Sequence, residues 1–136
     1  MQSSITSSDR ARVLLVDDNK EMLARTTAVL ERDCVIVGAF LDGPSALEAE
    51  RTLHTDVIVL DISMPGMTGL EVAARLRTSG SRVAVVFLTV HNEADFVVAA
   101  QAVGGIGYVL KPRLASDLMI AVREAKHGRP FVSILN

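Results

Sequence analysis

Five runs of β-branched and aliphatic residues, at 13–16, 35–40, 57–60, 83–88 and 107–110, alternate strictly with stretches whose apolar residues recur at helical spacing. That alternation leaves few folds open. Runs apolar on both sides belong to strands covered on both faces, the condition of a parallel sheet, and the helices between them supply the crossovers parallel strands require. Right-handed crossovers in a chain of 136 residues predict a doubly wound α/β sheet, (βα)5, with strand order 2-1-3-4-5. Such a sheet has one topological switch point, between its first and third strands, and ligands bind there beyond the carboxyl ends of the strands.

The helices carry their own signals. Met22, Thr26, Val29 and Leu30 line one face of the first, behind the N-cap Asn19. Asp42-Gly43-Pro44 opens the second, whose inner face is Ala46, Ala49 and Leu53. Thr68 and Glu71 have the spacing of a capping box before Val72, Ala73 and Leu76. Asn92 with Glu93 and Asp95 predicts the start of the fourth helix, which runs to about Val103 and is stopped by Gly104-Gly105. Pro112 denies Lys111 the helical region, so the chain should turn before a last helix faced by Leu118, Ala121, Val122 and Ala125, with Gly128 just past its end. The expected organisation is a flexible leader over 1–10, one domain over 11–128, and the start of a linker or tail over 129–136.

Composition narrows the function. A net charge of -2 gives no electrostatic footprint for nucleic acid or an anionic membrane, and 4% aromatics with no Trp offer no base-stacking platform. No apolar run approaches the roughly 20 residues of a membrane span, and the polar start is neither a signal peptide nor an anchor, so a cytoplasmic location is expected. Cys34 is the single cysteine, which excludes an internal disulfide and suits a reducing compartment.

The chemistry gathers at the strand ends. Asp17 and Asp18 follow the first run, Asp61 the third, Thr89 the fourth and Lys111 the fifth, all on one edge of the predicted sheet. Pro65, Gly66 and Gly69 behind Asp61 are turn residues that let backbone approach whatever the acid holds. Singly, each residue has a bland reading: a helix-capping acid pair, a solvated strand end, a strand-end threonine, a surface lysine. Together they do not. Carboxylates within a few ångström repel by about 1 kcal/mol per pair in water and about 4 at an effective dielectric near 20, so they need compensation. One divalent cation and one ammonium neutralise three carboxylates, and oxygen ligands select a hard ion, Mg²⁺ with Mn²⁺ as the substitute.

This constellation resembles the receiver domain of two-component response regulators, from about Arg12 to His127, on Asp17-Asp18, Asp61 with Met64-Pro65-Gly66, Thr89, and Lys111-Pro112. The resemblance implies a flavodoxin-like fold, shared with CheY, and phosphorylation of Asp61 by a sensor histidine kinase. It implies Mg²⁺ held by Asp18, Asp61 and the Ser63 backbone carbonyl, with Asp17 acting through a water. Lys111 would pair with Asp61 and then with phosphoryl oxygens, and the Lys111-Pro112 bond would be cis. Thr89 and Tyr108 would form a switch pair governing the surface of the fourth helix, fifth strand and fifth helix. Ser63 and His91 stand where the family tunes acyl phosphate hydrolysis; a solvated loop residue is the other reading of His91. His54 and His127 are expected at the surface.

The stretch Tyr108 to Lys111, then Leu114, Leu118, Ala121, Val122, Gly128 and Phe131-Val132-Ser133, looks like receivers that precede a LuxR-type helix-turn-helix domain. That implies control of transcription through a DNA-binding domain absent from this chain, with a homodimer on phosphorylation. A stand-alone receiver acting by protein contact is the alternative. A Mg²⁺-dependent phosphohydrolase would want a general acid two residues after Asp61, where Ser63 stands. A flavin carrier would want a phosphate cradle where Asp17-Asp18 would repel the phosphate.

Overall fold

The computed structural model describes residues 10–134; the expected leader lies outside them except for Arg10. The chain runs β1 (Ala11–Val16), α1 (Lys20–Leu30), β2 (Cys34–Phe40), α2 (Gly43–Glu50), β3 (Val57–Asp61), α3 (Gly69–Thr78), β4 (Ala84–Thr89), α4 (Ala94–Ala102), β5 (Gly105–Leu110), a 3₁₀ turn (Lys111–Arg113), α5 (Leu114–Lys126) and β6 (Phe131–Val132). All neighbouring strands pair in parallel, in the order β2-β1-β3-β4-β5-β6. This is the predicted doubly wound sheet with one strand added at its edge.

Strand alternation divides the core in two. Val57 and Val59 of β3 face one way, with Val13, Leu15, Val86, Leu88 and Val109, onto Leu30 of α1 and Leu118, Ala121 and Val122 of α5. Ile58 and Leu60 face the other way, with Leu14, Val16, Phe87 and Tyr108, onto Ala46 of α2, Val72 and Leu76 of α3 and Ala100 of α4. Val57 to Leu60 are each at most 2% exposed, so each contributes roughly 1.5–3 kcal/mol of burial. A strand satisfied on both faces cannot slip register, and this places Asp61 at its end reproducibly.

Local expectations were met at the caps. Asn19 accepts the Met22 N–H at 3.0 Å, Asp42 accepts the Ser45 N–H at 2.8 Å, and Thr68 with Glu71 closes both arms of the capping box. Others were not. Glu93, within the expected start at Asn92, Glu93 and Asp95, stands at the N-cap of α4, but no side-chain bond caps it. Gly105 does not help to stop α4 but opens β5; Gly104 alone makes the turn, at φ 94°, where a side chain would be strained.

Two corrections concern the far end. Lys111 begins the 3₁₀ turn instead of staying extended, and no peptide bond among the described residues is cis, so Lys111-Pro112 is trans. Proline in the first turn of a helix occupies a position whose N–H would be unpaired anyway, and the trans isomer carries the chain straight into α5. Within the segment expected to begin a linker or tail, two residues form β6: Phe131 pairs with Gly107 and Val132 with Tyr108. A strand of two residues is too short for periodicity to reveal.

Candidate functional site

The carboxyl ends of β1, β3, β4 and β5 bring the predicted residues together. Asp17 and Asp61 are buried, at 4% and 5% exposure, while Asp18 beside them faces solvent. One carboxylate oxygen from each of the three lies within 4.8 Å of the others. Lys111 Nζ reaches in from the 3₁₀ turn to 3.2 Å from Asp17 Oδ2 and 3.5 Å from Asp61 Oδ1.

Backbone groups aim the acids. Asp17 Oδ1 accepts the Asn19 N–H at 2.9 Å, and Asp61 Oδ1 accepts the Ser63 N–H at 3.3 Å. The loop after β3 turns closely enough that Gly69 N–H bonds the Ile62 carbonyl at 2.8 Å, and a Cβ at Gly69 would run into the carbonyl oxygen of Asp61. Glycine is required there by contact, not by an unusual φ.

Charge is under-compensated. Burial, and then repulsion by Asp17, push the Asp61 carboxyl up to about 7; Lys111 and the Ser63 N–H oppose this, and Asp18 adds to it. Asp17 Oδ2 is buried beside the ammonium yet poorly aligned for a hydrogen bond, and it has no other hydrogen-bond partner among the described residues. A buried carboxylate oxygen without a donor is costly, and three converging acids with an exposed member give a cation both ligands and a way in. The donor set fits a hard divalent ion: Asp17, Asp18 and Asp61 would hold it, all through oxygen.

A second cluster adjoins the first. Thr89 is fully buried, and its Oγ1 accepts the His91 N–H at 3.1 Å. The His91 carbonyl accepts the Tyr108 hydroxyl at 2.6 Å, and the Tyr108 ring lies inside, 3% exposed. Burial, with the Glu93 charge nearby, raises the Tyr108 phenol to about 12, so it is a donor at any working pH. The His91 ring stacks on Phe96 of α4, with centroids 4.0 Å apart and planes 9° from parallel, and its Nε2 lies 2.7 Å from Ser63 Oγ. His91 is thus a bridge between the loops after β3 and β4 rather than a solvated loop residue. His54 and His127 are exposed, as expected; His54 lines a cavity of about 610 Å³ at the opposite, amino end of the sheet.

Sequence reasoning missed the residues behind Lys111. Arg113, Asp117 and Ser133 form a polar cluster in which Asp117 and Ser133 are buried. Asp117 reads in sequence as an ordinary first-turn acid, and its i,i+4 spacing from Arg113 was the one available signal.

The family model for the response regulator receiver domain matches residues 13–123. The chain is 40% identical over 116 residues to the positive alginate biosynthesis regulatory protein of Pseudomonas aeruginosa, covering 83% of this chain and 46% of that protein. It is 31% identical over 131 residues to the nitrate/nitrite response regulator protein NarL of Escherichia coli, covering 95% and 61%. It therefore spans roughly half the length of these curated relatives. Among solved structures, a LuxR-family two-component response regulator from Aurantimonas superposes with TM-score 0.85 at 27% identity, covering 90% of this chain and 89% of that one. The signal receiver domain of the NarL response regulator from Mycobacterium tuberculosis superposes with TM-score 0.79 at 32% identity, covering 88% and 98%.

Proposed function

We propose that this chain, which belongs to the response regulator receiver domain family and is of the LuxR/NarL type, takes a phosphoryl group on Asp61 and passes the change to the face formed by α4, β5 and α5. The observation that carries this reading is the buried Asp61 carboxylate between Asp17, Asp18 and the Lys111 ammonium. An Asp61 oxygen attacks the phosphorus of a phosphohistidine on a sensor kinase, or of a small acyl phosphate; the new O–P bond forms as the bond to the donor breaks, and the donor leaves with the electron pair. Mg²⁺, held by Asp18 and Asp61 with Asp17 beside them, would neutralise charge on the transferring group. Lys111 holds the Asp61 oxygen on one side and meets phosphoryl oxygens on the other.

Thr89 and Tyr108 read the outcome. A phosphoryl oxygen accepts a hydrogen bond from the Thr89 hydroxyl and so pulls Oγ1 away from the His91 N–H that donates to it, and His91 in turn holds Tyr108 and the amino end of α4. Ser63 and His91, bonded across the site, stand where hydrolysis of the acyl phosphate is governed. The group biases an existing equilibrium, as any ligand with differential affinity does. The chain acts as a signalling acceptor, not as a turnover enzyme, and we place it in the cytoplasm beside its kinase. Regulation of transcription would run through a DNA-binding domain outside this chain; a receiver that works by protein contact alone is the second reading.

Acetyl phosphate with Mg²⁺ should add one phosphoryl group to the protein, seen by intact mass, and Asp61→Asn should abolish the addition. Modification that persists in Asp61→Asn overturns the assignment.

A further inference from the structure

Lys111 rides on a 3₁₀ turn of three residues, and so short an element holds an ammonium only as firmly as its flanks are held. One buried pair holds both flanks. On the strand side, the Leu110 N–H donates to Ser133 Oγ at 3.1 Å, and the Ser133 hydroxyl donates to Asp117 Oδ2 at 2.7 Å. On the helix side, Arg113 donates through Nε to Asp117 Oδ2 at 3.2 Å and through a terminal guanidinium nitrogen to Oδ1 at 3.3 Å. Ser116 Oγ completes the carboxylate at 2.9 Å. The Ser133 N–H bonds the Tyr108 carbonyl at 2.8 Å, so the tail is stitched to β5 at Tyr108 and at Leu110.

We propose that Ser133 and Asp117 are positioning residues for Lys111, which makes the segment after α5 a working part of the acidic site at the other side of that turn. The proposal rests on the role given to Lys111 above. Neither residue is among those gathered around Asp61; each acts through the turn. Ser133 is 7% exposed and Asp117 6%, so water does not replace a lost partner easily. Burial alone would raise the Asp117 carboxyl, but the bonds from Arg113, Ser133 and Ser116 outweigh it and keep the group ionised. Without the Ser133 hydroxyl, the Leu110 N–H loses its acceptor and Asp117 loses a donor. The turn then relaxes, and an ammonium 3.2 and 3.5 Å from its partners leaves contact with a shift of about 1 Å, a displacement able to cost up to about 100-fold in a positioned reaction.

The test uses the full chain, with Ser133→Ala, Ser133→Thr and Lys111→Ala, read by Mg²⁺ affinity in calorimetry and by the rate of modification with acetyl phosphate. Ser133→Ala should slow modification about fivefold. It should also tighten Mg²⁺ binding about threefold, because the competing ammonium has moved off the acids. Ser133→Thr, which keeps the hydroxyl, should restore both. In the Lys111→Ala background, Ser133→Ala should change neither, the signature of action through that lysine. A Ser133→Ala protein that melts earlier but keeps both quantities, or whose effects simply add to those of Lys111→Ala, overturns the proposal and leaves an edge anchor. Should Ser133→Ala not fold, Asp117→Asn carries the same comparison. If the wild type takes no phosphoryl group, the function reading fails while the Mg²⁺ arm still decides this one.

Discussion

At the scale of single residues, Asp61 carries an electrostatic burden that a bound cation would relieve. Its carboxyl titrates near 7 in the folded chain against 3.8 ordinarily. Between those values the unfolded chain has released the proton and the folded chain retains it, so rising pH costs stability, and the full penalty stands above about 7. Asp61→Asn removes the buried charge at nearly constant shape; it should raise the melting temperature of the metal-free protein near pH 8 and leave it little changed near pH 4, as thermal denaturation would show. The same proton competes with a cation. Mg²⁺ affinity should therefore rise about tenfold between about pH 6 and about pH 8, measured by calorimetry. Asp117 has the opposite sign: its carboxyl lies below the usual range, so its contribution is present at neutral pH and lost as acid protonates it.

At the scale of elements, the loop between β4 and α4 is where the proposed switch would be held. α4 lacks a side-chain N-cap bond; at its amino end the His91 ring stacks on Phe96, while the His91 carbonyl accepts the Tyr108 hydroxyl of β5. A stacked ring pair contributes about 0.5–1.5 kcal/mol beyond its buried area. His91→Ala should therefore speed amide hydrogen exchange through the first turn of α4 while leaving α3, with its closed capping box, unchanged. The reading of α4 from Asn92, Glu93 and Asp95 found the helix and missed what secures it, because the securing group is an aromatic contact and not a cap.

At the scale of the whole molecule, the sheet turns residues 44 positions apart, Asp17 and Asp61, into one site, and a ligand of that site stabilises the entire fold by mass action. Mg²⁺ at about ten times its dissociation constant should add about 1.4 kcal/mol and raise the melting temperature by a few degrees. Asp18→Asn should erase that gain, since Asp18 would be the solvent-facing ligand. Most of this architecture was legible beforehand. Alternating apolar runs and helical periods determined the element order, the parallel sheet and the shared edge of Asp17, Asp18, Asp61, Thr89 and Lys111, because two-faced burial and right-handed crossovers admit few other arrangements. Tertiary structure alone decided that Lys111-Pro112 is trans in a 3₁₀ turn, that His91 joins Ser63 to Phe96, and that the tail returns as β6 to bury Ser133 against Asp117. The last two of these depend on partners 5 to 28 residues apart in the chain, through single hydrogen bonds and ring contacts that leave no periodic trace in it.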